Sequence, residues 1–410
     1  MSRLHVAGIV AVFLAACSPS LAPPPGAWLP LPQPPVGLVN PAVLALGHGS
    51  VLVLAGQSVV SGSFPGALRP PLSTVEEFAS GTWHLRAPEP EALSDSGIVI
   101  LPNDDVLVVG GVDGQERAVP RAYLYDPAAD RWSRTPDLPV PIAAPFATLL
   151  KDGTVLVGGG ASAWPNDSPR PSGLSSAWIF DPAKQDWRSI KSMHTGRLFA
   201  SATRLPDGTV LVAGGEGDGS PLASAEVFDP ATTSWTVVAP LPQAREQHAA
   251  TLIGGKVVLM GGTASTVFGG GFALNAGLDA EIFDVGSKSW SLGSPPSSSV
   301  SPEPFAAVAP MADHRLLILT QPLPQAIAYD VGADYWSRIT RPPSWQTAPT
   351  LSNMANGQVL LLAGKSAWRF DPNGNVPSTE TGFGRETVVL SLIAGGLLLL
   401  LGVQRFFRAR

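Results

Sequence analysis

Asp207-Gly208-Thr209-Val210-Leu211-Val212-Ala213-Gly214-Gly215, followed by Ala225-Glu226-Val227-Phe228-Asp229-Pro230 and then Trp235, is the passage from which the fold follows. Asp-Gly joins two strands in a hairpin. The run 210–213 is apolar at every position, so it suits an inner strand covered on both faces. The double glycine ends that run where chains crowd and no side chain fits. Asp-Pro after Phe228 opens a tight turn, and Trp235 begins the next strand out. One unit therefore holds four antiparallel strands.

The unit recurs. Trp28, Trp83, Trp132, Trp187, Trp235, Trp290 and Trp336 fall in register, with a period of about 50 residues. An aromatic followed by Asp stands ahead of most of them: Tyr125-Asp126, Phe180-Asp181, Phe228-Asp229, Phe283-Asp284 and Tyr329-Asp330. Apolar runs ending in glycine stand further upstream at 106–111, 155–160, 210–215 and 257–262, with weaker copies at 51–56 and 359–364. Four strands at this period make a propeller blade. Phe370-Asp371 repeats the aromatic pair with no tryptophan after it, and Trp28-Leu29-Pro30-Leu31-Pro32 is a fourth strand with no blade before it. The orphan is expected to complete the last blade and close a ring of seven, which leaves no long sheet edge exposed.

Double glycine, aromatic and a tryptophan a few residues on: this pattern resembles the Kelch motif, over roughly residues 28–375. The resemblance implies an all-β chain folded as a seven-bladed Kelch-type β-propeller. Two blades depart from the pattern. Leu319-Thr320 stands where blade six should have glycines, and Phe78-Ala79 replaces aromatic-Asp in blade one.

With strands lettered a to d from the axis outward, alternation puts the d–a and b–c connections on one face and the a–b and c–d turns on the other. The a–b and c–d turns are short and repetitive. The b–c connections vary, with long ones at 57–74, 161–176 and 263–279. Variable loops on a rigid scaffold are where such folds acquire partners. Their aromatics, Phe64, Trp164, Phe268 and Phe272, are candidate contacts, or else pack on their own loops. Arg197 and Arg245 sit at matching offsets in two d–a segments, near His194 and His248; Arg117 and Arg121 lie in the blade-two loop. Two readings stay open for these cations: braces between blades, or a ring at a pocket mouth suited to an anionic or sugar ligand.

Both ends fall outside the repeats. Residues 1–16 read as a signal peptide, with Arg3 ahead of an apolar run. Leu14-Ala15-Ala16-Cys17 resembles the bacterial lipobox, which implies lipidation at Cys17. Segment 17–27 is a Pro-rich linker, 28–376 the propeller and 377–386 a juxtamembrane linker. The apolar run 387–403 would reach about 26 Å as a helix and is assigned, with Gln404, to a transmembrane helix over 387–404. The basic tail 405–410 then stays cytoplasmic by the positive-inside rule. The expected location is the bacterial cell envelope, outside the cytoplasm. Either the lipid or the helix, or both, would hold the chain to the membrane.

Net charge is −6, and no strongly basic patch exists outside the tail, so nucleic acid is not an expected partner. One cysteine rules out an intramolecular disulfide framework. Copper oxidases of this architecture need a Tyr–Cys cross-link, whereas Cys17 lies outside the repeats; no metal or other cofactor is expected. Gly-Glu-Gly-Asp-Gly at 215–219 has too few carboxylates for calcium and reads as a turn. The expected role is binding of a protein or carbohydrate ligand at the cell surface through the b–c/d–a face, with no catalytic residue assigned. The alternative is a carbohydrate-active enzyme, similar to propeller-type sugar epimerases, working through Glu246, His248 and Arg245 on the same face.

Overall fold

A computed structural model describes residues 26–56, 71–163, 172–262, 280–296, 305–320, 325–340, 349–354 and 356–374. These residues form seven four-stranded antiparallel sheets. Blades one to six span 42–85, 97–134, 146–189, 201–238, 249–292 and 305–338, each in simple sequence order from strand a to strand d. The seventh takes strands a to c from 350–371 and its outermost strand from Ala27–Pro30. There Trp28 pairs with Phe370 and Ala27 with Asp371. The closing strand begins at Ala27, one residue before the tryptophan.

Strand b is buried in every blade. Val51–Leu54, Val106–Val109, Val155–Gly158 and Val210–Ala213 are buried at all four positions. Each is covered on one face by the preceding blade and on the other by the next, so alternation of polar and apolar residues is lost. The apolar clusters sit at the joints between blades. Leu107 and Val109 of blade two meet Val155, Val157 and Trp178 of blade three, and Leu360 and Leu362 of blade seven meet Val51, Val53 and Phe78 of blade one. Each fully buried aliphatic side chain contributes about 1.5–3 kcal/mol.

Two recurrent devices come from the motif residues. Each tryptophan stacks at a tilt on the aromatic opposite it, with ring centroids 4.6 Å apart for Tyr329–Trp336 and 5.1 Å for Phe283–Trp290. Each indole N–H also reaches back to the previous blade. Trp132 donates to the Ala87 carbonyl, Trp187 to Pro136, Trp235 to Lys191 and Trp290 to Ala239, at 2.8–2.9 Å. The aspartate after the aromatic caps the c–d turn instead: Asp126 Oδ1 accepts the Ala128 and Ala129 amides, and Asp330 Oδ1 those of Gly332 and Ala333. The double glycines adopt positive φ, +60° and +96° at Gly214 and Gly215. A Cβ on Gly214 would stand 2.6 Å from the Arg245 carbonyl oxygen, so crowding by the next blade selects glycine.

Segment 215–219 is a turn. Glu216–Gly217 and Ser220–Pro221 pair as a small hairpin around Asp218 and Gly219, both at positive φ. Among the described residues no helix is long and apolar enough to cross a membrane. The assignments to 1–16, Cys17, most of 17–27, 377–386, 387–404 and 405–410 lie outside the described residues.

Candidate functional site

The b–c/d–a face is assembled from the segments that enter each blade. Twelve positions after the tryptophan of the preceding outer strand, Asn40, Asp95, Ala144, Phe199 and Gln247 all adopt φ between +50° and +55°. This left-handed kink turns the chain into strand a. The kinks touch one another: the Ala144 amide donates to the Asp95 carbonyl and the Gln247 amide to that of Phe199. Asp95 is exposed there, yet the surrounding protein raises its pKa by desolvation, against one hydrogen bond from Ser94.

Arg197 and Arg245 precede the kink by two positions and are wholly buried. Arg197 pairs with Glu226 at 3.0 Å and donates to the carbonyls of Gly214 and Ser224 and to the Ser224 hydroxyl. Arg245 pairs with Glu281 at 3.1 Å and donates to the Gly261 carbonyl. The same joint in blades two and three is apolar, made by Leu93 with Tyr123 and by Ile142 with Trp178. An Arg–Glu pair thus replaces an aliphatic–aromatic contact in blades four and five. The assignment of Arg197 and Arg245 to a ligand-facing cation ring is corrected: their guanidinium groups face the sheet beside them and are shielded from solvent.

The glutamates hold the preceding loop as well. Glu226 accepts the His194 and Thr195 amides and contacts the His194 ring, and Glu281 accepts the Gln243 amide. Burial would raise Glu226, but those amides, the His194 ring and the Arg197 charge hold its carboxyl below the usual range. Blade one keeps the glutamate without the arginine. Glu76 is buried, accepts the Val36 amide at 2.7 Å, and is raised by desolvation.

The remaining candidates divide. His248 Nε2 lies 2.9 Å from the Ser201 hydroxyl, bridging blades five and four. Burial, and then the Arg245 charge, push its pKa down to about 3, so the ring is neutral. Glu246 shares a hydrogen bond with Glu216, and burial followed by that neighbour pushes Glu216 up to about 7. Arg245, Glu246 and His248 therefore point to three different partners rather than to one reacting centre. Arg117 is well exposed on the blade-two loop and pairs with Asp113 at 2.8 Å. Arg121 is half-buried and pairs with Glu91 at 2.8 Å. Both stay accessible on the loop face. Trp164, Phe268 and Phe272, with Phe64, lie outside the described residues. The Glu216–Glu246 contact was missed by sequence reasoning, because the two carboxylates come from different blades.

A family model described as the Kelch motif matches residues 99–139 and 202–242, which are blades two and four from strand a to the segment after strand d. The chain is a Kelch-repeat propeller. Its Kelch repeats are similar to those of Kelch-like protein 35 of Mus musculus, 26% identical over 306 residues, covering 70% of this chain and 49% of that protein. Beta-scruin of Limulus polyphemus is 28% identical over 143 residues, covering 35% of this chain and 15% of that protein. The chain spans less than half the length of these curated relatives. Among solved structures, a fungal alcohol oxidase in complex with copper matches with a TM-score of 0.61 at 14% identity, covering 84% of this chain and 76% of that one. That likeness is one of fold. Among the described residues no group of three or more His, Cys, Asp or Glu side chains is placed to hold a metal ion.

Proposed function

We propose that this Kelch propeller is an exported, membrane-anchored binding module that engages a protein or glycan through its b–c/d–a face. The observation that carries the reading is the pairing of Ala27 with Asp371. Both chain leads leave the ring there, at the c–d turn end of blade seven. A tether through Cys17 or through 387–404 would then sit beneath the uniform face and turn the variable loops outward. Arg117 and Arg121 stand on that outward face.

The test uses the full chain on a glycan array and in a crosslinking pull-down from intact envelopes. Arg117→Ala with Arg121→Ala is expected to weaken the captured interaction without lowering thermal stability. Cys17→Ser is expected to abolish lipid labelling. A captured partner indifferent to both arginines and to shortening of the loops would overturn the loop-face reading.

A second reading, a carbohydrate-active enzyme on the same face, is favoured by one observation. Glu216 and Glu246 share a hydrogen bond, with Glu216 held near neutrality, where a carboxyl can both give and take a proton. Proton NMR of free sugars with the full chain tests it. Conversion lost in Glu216→Gln would support an enzyme, and no conversion of any sugar would dismiss it.

A further inference from the structure

A cavity of about 780 Å³ opens on the face opposite the variable loops, between blades two and three. Its volume lies within the range of ligand sites. Leu101 and Leu124 of blade two line its floor and are at least nine-tenths buried, and Ile179 of blade three lines it while packing toward blade four. The a–b turns 101–105 and 150–154 flank it, and no hydrogen bond joins one turn to the other. The neighbouring joint is closed differently: Asp104 of blade two accepts the Gly47 amide of blade one at 2.8 Å and meets the His48 ring. Blade three supplies no such bridge to blade two.

Charge around the cleft is unbalanced. Asp181 is neutralised by Lys184 at 2.5 Å. Asp105, Asp152 and Asp186 line the same opening and form no ion pair among the described residues. Asp105 and Asp152 accept only from neighbours in their own turns. Arg188 is the lining cation left without a partner. Three unpaired carboxylates against one unpaired guanidinium leave an acidic rim over an apolar floor.

We propose that the cleft between blades two and three docks a basic peptide segment of a partner protein, a lysine or arginine meeting the rim and a flanking apolar side chain resting on Leu101 and Leu124. The site is separate from the loop face, so its failure and that of the loop-face reading are independent. A peptide fits better than an anion, which the excess of carboxylates repels.

Fluorescence anisotropy of the full chain with labelled Gly-Leu-Lys-Leu-Lys-Leu-Gly, and with its counterpart carrying glutamate for lysine, tests the proposal. The basic peptide should bind and the acidic one should not. Asp152→Asn and Asp186→Asn should each weaken binding roughly threefold, and Arg188→Glu should tighten it by a similar factor, the scale of exposed ion pairs. Ala183→Trp adds an indole at the exposed rim without touching the core, and should abolish binding while the unfolding temperature holds. No binding by the basic peptide, equal binding by the acidic one, or binding indifferent to Ala183→Trp would each overturn the proposal.

Discussion

The indole Nε1 of Trp28 donates to the backbone carbonyl of Thr340 at 3.0 Å, a contact between positions 312 apart in the chain. It is the same bond that the outer-strand tryptophans Trp83, Trp132, Trp187, Trp235, Trp290 and Trp336 make to the blade before them, and here it joins blade seven to blade six across the ring closure. Trp28 also stacks on Phe370, centroids 4.9 Å apart. Trp28→Phe should keep the stacking and lose the bond, costing about 1 kcal/mol. Trp28→Ala should lose both and cost about 3 kcal/mol or more. Urea unfolding measures the two; equal stability of both variants with the parent would show that the clasp contributes nothing.

Arg197 and Glu226 form a buried pair, so removing one partner strands the other. Arg197→Ala is expected to cost about 3–5 kcal/mol. Arg197→Ile with Glu226→Trp converts the joint to the kind that blade three makes from Ile142 and Trp178, and should fall closer to the parent. Its remaining deficit would come from the His194 and Thr195 amides, which lose their acceptor. In both proteins, ligand binding by the loop face should persist at temperatures where they stay folded.

Glu89 is buried and accepts the Ala55 amide at 2.8 Å. Burial pushes its carboxyl up to about 8, against that one amide. The folded chain keeps a proton there that the unfolded chain releases above its ordinary value of 4.5. The stabilisation is complete below that value and is lost as pH rises through about 8. Glu89→Gln retains the acceptor oxygen and removes the titration. Melting temperatures taken from pH 5 to 9 should fall less in the variant, with a gain on the order of 2–4 kcal/mol at the alkaline end. Parallel profiles would contradict this.

Gly215 has φ +96°, and an added Cβ would stand 2.6 Å from the Leu198 carbonyl oxygen. Gly215→Ala should therefore destabilise by about 2 kcal/mol or more. At Gly153, φ +86°, an added Cβ meets nothing within 4 Å, so Gly153→Ala should cost only the backbone term, about 1 kcal/mol. The difference between the two in thermal unfolding isolates crowding by the segment that enters the same blade.

Blade count, strand roles and ring closure were legible because the tryptophan, the aromatic-Asp pair and the double glycine each answer one local need that recurs in every unit. The relay of indole bonds was not, since its acceptors are backbone carbonyls on residues as different as Pro136, Lys191 and Ser294. The burial of Arg197 and Arg245 left a trace that charge alone concealed. Ten residues after each preceding tryptophan, the register holds Leu38, Leu93, Ile142, Arg197 and Arg245 in turn. A position that is aliphatic in three blades lies inside, and the glutamates two before Phe228 and Phe283 mark the partners. The Glu216–Glu246 contact and the cleft beside Ile179 depend on how two blades meet, which no single repeat records.

The pairing of Ala27 with Asp371 has a mechanical consequence. Because the two leads depart side by side from an antiparallel ladder, a pull that separates Gly26 from Pro372 would open its rungs one after another instead of loading them together. The ring is therefore mechanically weak along that one direction. Traction on the N-terminal lead would peel away the Trp28 strand and bare the edge at Phe370 before any other blade was disturbed.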